Sequence, residues 1–257
     1  MARDDVIVNR DERRGRATSF ASVADAYERA RPSYPDDAVR WLAGSEPAEI
    51  VDLGAGTGKL TRSLVGLGHR VTAIEPLAEM RAHIEKTAPA ACVLEGSAES
   101  IPLPDASADL VISAQAFHWF DHARALPEIA RVLRPGGWIA LVWNVRDDRV
   151  PWVASLSEAI GSETVDSDDT EEPIVASGLF GPFEEAVFGF AQRLDRETLL
   201  DLVLSRSYCA TKPAVEREPV FAAVSEIFDQ HAADGMIELH YVTECFRAQR
   251  RDRRSDD

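Results

Sequence analysis

The stretch "VDLGAGTGKL", residues 51–60, places three glycines at alternate positions shortly after an aspartate, Asp52. Glycine at this density weakens a chain unless the backbone must turn sharply or come very close to another group. The apolar run "EIVDL" (49–53) precedes the glycines, and leucines spaced along one helix face follow between residues 60 and 67. The stretch therefore predicts a strand, a tight turn and a helix, with a ligand against the turn. A tight turn without a ligand is the simpler alternative.

Two kinds of phosphate-binding glycine loop fit this stretch poorly. A phosphate-binding P-loop needs glycine at position 53 and serine or threonine at position 60, and both positions hold leucine. A dinucleotide loop of the form GxGxxG needs glycine where Lys59 stands, and it would set a pyrophosphate against the charge of Asp52. The residues on either side of the glycines, Asp52 before them and Lys59 and Leu60 after them, therefore favour a cofactor that carries positive charge and no phosphate.

Beyond the glycines, short apolar runs alternate with helical patterns. The runs expected to form strands are "RVTAIE" (70–75), "ACVLEG" (91–96), "ADLVIS" (108–113), "WIALVW" (138–143), "FEEAVFGFAQRL" (183–194) and "GMIELHYVTECFRA" (235–248). One helix is expected to begin near Pro127 and to end at "RPGG" (134–137), and later helices are expected near 196–205 and 216–233. This order predicts an α/β fold with a Rossmann-like, doubly wound, seven-stranded and mostly parallel sheet.

The chain is expected to form one domain between two polar ends, without an internal boundary. Residues 161–173 hold six acids and no base, and we expect them to form a solvated loop. The predicted divisions are a flexible lead (1–18), the domain (19–248) with its core (about 45–145) and a variable substrate-cover region (about 146–235), and a flexible tail (249–257).

Composition narrows the class of partner. The 257 residues carry 28 basic and 44 acidic side chains, a net charge of −16, which argues against a nucleic-acid partner. Cys92, Cys209 and Cys245 are far apart, so we expect neither a disulfide framework nor a metal site. The chain start lacks an apolar signal region, and no apolar run reaches the length of a membrane span. A cytoplasmic protein that binds a small molecule and does not bind a membrane is expected, with its oligomeric state open.

The acidic residue followed by GxGxG resembles motif I of the class I S-adenosylmethionine-dependent methyltransferases. The segments "GSAESIPLPDASADLVIS" (96–113) and "EIARVLRPGGWIAL" (128–141) resemble later parts of the same fold. Three further segments resemble the methyltransferase type 11 branch, which is ubiquinone-biosynthesis-like and trans-aconitate-methyltransferase-like. They are "FASVADAYERARPSYP" (20–35), "AQAFHWFD" (114–121) and "LVWNVRDDRVPW" (141–152).

This resemblance implies S-adenosylmethionine as cofactor, S-adenosylhomocysteine as product, and a helical N-terminal lid. The Glu75 carboxylate would bind the ribose diol, and Ala98 would lie against the adenine. Where the family often has aspartate this chain has Ser97, so either Ser97 or Glu99 would bond the adenine amine. The residues predicted to bind the cofactor are Tyr27, Arg31, Asp52, Gly54, Ala55, Gly56, Glu75, Pro76, Met80, Ser97, Ala98, Glu99 and Gln115.

Candidates for the acceptor end follow from the rule that ligands lie beyond the carboxyl ends of parallel strands. His118 is a candidate general base, with loop ordering or cofactor contact as the alternative. Trp119 and Trp143 would line the methyl-transfer pocket or simply pack in the core, and Arg146 would clamp a carboxylate or form a surface ion pair. The residues predicted to act at the acceptor end are His118, Trp119, Asn144 and Tyr208.

The predicted function is in-line methyl transfer to a small-molecule acceptor, a step that needs alignment and water exclusion more than dedicated acid–base groups. Two alternatives stay open on the sequence. One is an NAD(P)-dependent oxidoreductase, and the other is a non-catalytic regulatory protein that binds the cofactor on the same fold.

Overall fold

A computed structural model describes most of the chain, namely residues 28, 30–161, 167–205 and 213–251, with the side chains of 167–170 and 214 left out. The chain divides into two compact units. The described residues up to Arg31 belong with Leu194–Ile237, and Pro32–Arg193 belong with 238–251. The segment 146–235, expected to be one substrate-cover region, is thus divided between the two units.

The described residues form a seven-stranded sheet of order β3-β2-β1-β4-β5-β7-β6. The strands are β1 (Glu49–Leu53), β2 (Arg70–Ile74), β3 (Cys92–Leu94), β4 (Ala108–Ala114), β5 (Leu133–Arg146), β6 (Phe180–Leu194) and β7 (Ile237–Arg250). The first five strands pair in parallel, and β7 is antiparallel to β5. This confirms the predicted Rossmann-like, mostly parallel sheet.

Helices of the larger unit connect and flank these strands. They are α1 (Asp36–Ala43), α2 (Lys59–Gly66), α3 (Ala78–Thr87), a 3-10 turn (Phe117–Trp119), α4 (His122–Val132), α5 (Pro151–Ile160) and α6 (Ser167–Ser177). The smaller unit holds α7 (Arg196–Leu204) and α8 (Ala214–His231). The predicted N-terminal lid falls mostly outside the described residues and stays a prediction.

The start of α4 differs from the prediction. The helix begins at His122, and Pro127 lies inside it rather than near its first turn. Proline in a helix interior removes one backbone hydrogen bond. The buried side chains of Leu126 and Ile129 lie on the apolar face of α4 within the core, and their burial favours the continuous helix despite that loss.

Two further predictions are corrected. The acid-rich segment is not wholly a loop, because α6 begins at Ser167 and places Ile174 fully buried in the core. Its residues 162–166 lie outside the described part of the chain. The predicted tail begins too early, because β7 extends to Arg250, whose guanidinium donates to the carbonyl of Leu133 on β5.

Strand register brings the predicted site together. Leu53 at the end of β1 lies beside Ile74 at the end of β2, and Asp52 lies between Ala73 and Ile112 of the two neighbouring strands. The glycine turn and Glu75 therefore leave the sheet side by side, at the edge where the carboxyl ends of the parallel strands meet.

Candidate functional site

The glycine turn folds back over the end of β2. The backbone N–H groups of Gly54 and Ala55 both donate to the carbonyl of Ile74, at 2.9 and 3.2 Å. The N–H of the following residue, Gly56, donates to Glu75 Oε2 at 2.9 Å. These bonds hold the turn against the end of β2 and against Glu75, the residue after β2. The Glu75 side chain is therefore bonded directly to the backbone of the turn.

The three glycines of the turn serve two different purposes. All three have φ in the left-handed region: +72° at Gly54, +56° at Gly56 and +81° at Gly58. A Cβ at Gly54 would lie 2.9 Å from the Cβ of Ala116, and one at Gly58 would lie 3.0 Å from Ile84 Cγ1. A Cβ at Gly56 would meet no atom of the described residues within 4 Å. Packing therefore opposes a side chain at Gly54 and, less strongly, at Gly58, whereas the Cβ position of Gly56 is open among the described residues and accessible to a ligand.

Glu75 is a buried carboxylate held by backbone donors, with 6% of its surface exposed. Its Oε2 accepts from Gly56 as described, and its Oε1 accepts from the N–H of Leu77 at 3.0 Å. Burial raises the pKa of Glu75, and these two bonds and the charge of Arg81 oppose the rise. Arg81 in turn donates to the carbonyls of Glu75 and of the exposed Pro76, at 2.9 and 2.7 Å. The carboxylate is therefore oriented before any ligand binds.

Asp52 is a second carboxyl beneath the turn, and it is fully buried. Its Oδ2 accepts from Thr61 Oγ1 at 2.5 Å, whereas its Oδ1 has no hydrogen-bond partner among the described residues. Burial raises the pKa of Asp52 to about 6; the bond from Thr61 opposes the rise and the charge of Glu75 adds to it. At neutral pH the turn is consequently flanked by two acidic groups, which favours a cation over a phosphate.

The segment after β3 holds three more predicted cofactor residues. Ser97 and Ser100 bond to each other through their backbones at 3.4 and 3.2 Å. Ala98 is 3% exposed and belongs to the core. Glu99 Oε1 accepts from the N–H of Asp121 at 2.8 Å, directly before α4. The segment is therefore tied to the start of α4, and its predicted contact with adenine stays a prediction.

Gln115 connects the carboxyl ends of β4 and β5 and has φ of +57°, uncommon for a residue other than glycine. Its N–H donates to Val142 at 3.0 Å, and its Nε2 donates to the carbonyl of Asn144 at 3.1 Å. The amide of Asn144 is itself engaged at both ends, since Oδ1 accepts from Thr243 Oγ1 at 2.7 Å and Nδ2 donates to Ser33 at 3.2 Å. Both residues thus order this edge of the sheet.

His118 and Trp119 lie on the 3-10 turn that follows Gln115. His118 is exposed, and its ring centroid is 4.7 Å from that of Trp119, which packs partly buried against the core. Trp143 is 3% exposed and meets Phe246 edge to face at 5.9 Å. Of the two tryptophans predicted to line the pocket, Trp143 is therefore a core residue. Trp119 is partly buried, and only part of its surface is exposed.

Arg146 is buried and so does not lie at the surface, and its predicted clamp on a carboxylate stays a prediction. It is 8% exposed, and its guanidinium donates to Ser157 Oγ at 2.7 Å and to the carbonyl of Gly161 at 3.1 Å. Arg146 therefore connects β5 to α5 and to the residue that follows this helix.

The remaining predicted residues are Tyr27, Arg31, Met80 and Tyr208. Tyr27 and Tyr208 lie outside the described residues. Arg31 belongs to the smaller unit, where its guanidinium donates to the hydroxyl and the carbonyl of Ser205 at 2.9 and 3.4 Å. Met80 lies on α3 of the larger unit and is 3% exposed.

Two threonines near the turn were missed by sequence reasoning. Thr61 is fully buried on α2 and donates to Asp52, as described above. Thr57 is 2% exposed, and its Oγ1 has no hydrogen-bond partner in the part of the chain that the structure describes. The available signal was the position of Thr61 beside Leu60 on the apolar face of α2, where a polar side chain needs a partner.

A doubly wound sheet, with a glycine turn after β1 and buried carboxyls at the ends of β1 and β2, has the architecture of a class I methyltransferase. Residues 51–141 match a family model described as a methyltransferase domain. An uncharacterized methyltransferase of Mycobacterium tuberculosis (strain ATCC 25618 / H37Rv) is 44% identical over 239 residues, covering 92% of this chain and 97% of that protein. The chain belongs to the class I methyltransferase family.

Solved structures agree with this family. A candidate type II methyltransferase from Anaeromyxobacter dehalogenans is 27% identical, with a TM-score of 0.62 over 86% of this chain and 97% of that one. A phosphoethanolamine N-methyltransferase from Haemonchus contortus, in complex with S-adenosylhomocysteine, shares the fold at 16% identity and a TM-score of 0.56, over 96% of this chain and 61% of that one. Among the described residues, no helix has the length and apolar character to cross a membrane. Nor do the described residues bring together three or more side chains able to hold a metal ion.

Proposed function

We propose that this methyltransferase binds S-adenosylmethionine at the glycine turn and transfers its methyl group to a small molecule by in-line displacement. The observation that carries the proposal is the open space at Gly56, directly beside the oriented carboxylate of Glu75. When bound, the cofactor would supply a methyl group on a positively charged sulfur.

The residues present fit this cofactor better than a dinucleotide. The cofactor combines an ammonium, a sulfonium and a ribose diol, all of which suit carboxylates. Asp52 and Glu75 are both buried, and their mutual repulsion contributes to the raised pKa of Asp52. A nearby cation would relieve that repulsion, whereas a pyrophosphate would increase it.

The two oxygens of Glu75 are held in place by the N–H groups of Gly56 and Leu77. A carboxylate oxygen can accept more than one hydrogen bond, so both keep capacity for the two ribose hydroxyls. The open position at Gly56 lets the cofactor approach the backbone closely. Together these features would hold the ribose before the methyl group is presented.

At the acceptor end, alignment and exclusion of water would do most of the catalysis, and effective molarity alone supplies about 7–11 kcal/mol in well-oriented reactions. Gln115, held in an uncommon backbone conformation, would fix the edge of the sheet there. His118 is exposed beside Trp119 and would remove a proton from a hydroxyl or amine acceptor. The charge of −16 argues against a nucleic-acid acceptor and in favour of a small molecule.

The test is transfer of a labelled methyl group from S-adenosylmethionine into fractionated pools of small metabolites. We expect label in a low-mass fraction with the wild-type protein and with Glu79→Gln, a change to an exposed glutamate on α3. We expect little label with Glu75→Gln. Binding of the cofactor without transfer to any pool would favour a regulatory binding protein. Reduction of NAD by a metabolite, without response to S-adenosylmethionine, would favour an oxidoreductase.

A further inference from the structure

The outer strand of the sheet, β6, is long for an edge. It spans Phe180–Leu194, 15 residues, whereas β3 at the opposite edge has three. Strands in globular proteins average about 5–6 residues, and long exposed edges invite pairing with another chain. No strand of the described residues pairs with the outer edge of β6.

From Glu185 onward, exposed and half-buried side chains alternate along β6. The alternation is interrupted just before this point, because Glu184 and Glu185 are both exposed. The exposed face consists of Glu185, Val187, Gly189, Ala191 and Arg193. The half-buried face consists of Ala186, Phe188, Phe190 and Gln192. The exposed face thus has an acid at one end, a base at the other and small side chains between them, with Val187 at 67% exposure.

This exposed face is complementary to itself under two-fold symmetry. If a second copy of β6 runs antiparallel and Gly189 lies opposite Gly189, then Glu185 faces Arg193 of the second copy, and Val187 faces Ala191. Each pair occurs twice because of the symmetry. Directly opposite residues of antiparallel strands share a face, and opposite charges in such positions stabilise the pairing. No ion pair of the described residues engages Glu185 or Arg193.

We propose that β6 pairs with β6 of a second copy, centred on Gly189, to form a two-fold dimer with one continuous sheet. Pairing over residues 185–193 gives about eight to ten backbone hydrogen bonds between the copies. On the half-buried face, Phe188 would lie opposite Phe190 of the second copy. The glycine turn lies after β1, with three strands between β1 and β6 in the sheet, so the proposal does not depend on the proposed function.

Analytical ultracentrifugation of the full chain over a wide concentration range tests the dimer. We expect Glu185→Arg and Arg193→Glu each to weaken dimerisation about tenfold or more, because each turns two attractive pairs into repulsive ones. The double variant restores the pairs with their signs exchanged, and an equal mixture of the two single variants restores them in a heterodimer. Glu238→Arg, the same charge change at an exposed position of β7, should leave dimerisation unchanged.

A covalent test fixes the register. Cα atoms of paired residues are about 4.5–5.5 Å apart, within the range that a disulfide spans. In a background with both Cys92→Ser and Cys209→Ser, Gly189→Cys should therefore cross-link two copies under mild oxidation, and Val187→Cys should not, since position 187 faces position 191. A wild-type protein that stays monomeric overturns the proposal. So does a dimer that is insensitive to the single variants, a double variant that fails to restore it, or equal cross-linking at positions 187 and 189.

Discussion

Alanine at Gly54 and at Gly56 should separate the packing role of the glycine turn from its ligand role. Both residues have φ in the left-handed region, where a Cβ costs about 1–2 kcal/mol. At Gly54 the added methyl also lies 2.9 Å from the Cβ of Ala116, and overpacking of this kind adds about 1–3 kcal/mol. We therefore expect Gly54→Ala to lower the free energy of unfolding by about 2–5 kcal/mol, and Gly56→Ala by about 1–2 kcal/mol.

Ligand binding should respond in a different order. The methyl of Gly56→Ala would enter the space proposed for the cofactor, so we expect affinity for S-adenosylhomocysteine to fall at least about tenfold, or about 1.4 kcal/mol. Gly44→Ala is the matched control. Gly44 has φ of +77° and no described atom within 4 Å of its Cβ position, but it lies at the end of α1. Its ψ of −178° lies in a region essentially confined to glycine, so Gly44→Ala should cost at least as much stability as Gly56→Ala, with unchanged affinity.

The assays are urea denaturation of the ligand-free protein and calorimetric titration with S-adenosylhomocysteine. Binding by Gly56→Ala as tight as that of the wild-type protein would contradict the proposed position of the cofactor. If Gly54→Ala is no less stable than Gly56→Ala, the contact with Ala116 carries no cost and the packing role of Gly54 is refuted.

Three further changes test individual side chains. The pKa of Asp52 is raised to about 6 in the folded protein, from about 3.9 in an unfolded chain. Between about pH 4 and pH 6 the native state therefore binds more protons than the unfolded state, and the free energy of unfolding should fall as pH rises through this range. Asp52→Asn should abolish that fall and raise the free energy of unfolding by up to about 3 kcal/mol at neutral pH. Denaturation of both proteins at about pH 4 and about pH 8 measures the difference, and an unchanged pH profile would contradict this prediction. Glu75→Gln should lower calorimetric affinity for S-adenosylmethionine at least about tenfold with the fold retained by circular dichroism, whereas equal losses in Glu79→Gln would remove the specific role of Glu75. His118→Ala should leave cofactor affinity unchanged and lower turnover about 10²-fold or more in a methyl-transfer assay, and wild-type turnover would exclude a general base there.

The sheet was predictable because its central strands are short apolar runs between helices of regular spacing. Parallel strands buried on both faces need such runs, and β1, β2 and β4 show them. The errors arose where one local signal was taken alone. Pro127 suggested a helix start and the acids of 161–173 suggested a loop, but burial of Leu126 and Ile174 decided both segments.

The site was predictable only in part. Asp52 and Glu75 follow from the rule that strand ends gather at one edge of a parallel sheet, and the structure places them on either side of the glycine turn. The partners of Glu99, Asn144 and Arg146 could not be predicted. Each of these side chains bonds to a group distant in the sequence or on the next element, and such contacts exist only after the strands and helices pack.

Calorimetric titration of the wild-type protein with S-adenosylmethionine and, separately, with NAD tests most directly whether the glycine turn holds a cationic, phosphate-free cofactor. We expect saturable binding of S-adenosylmethionine that Gly56→Ala and Glu75→Gln both weaken, and no comparable binding of NAD. Tight binding of NAD without any heat from S-adenosylmethionine would contradict the proposed cofactor and the chemistry inferred from the two buried carboxyls.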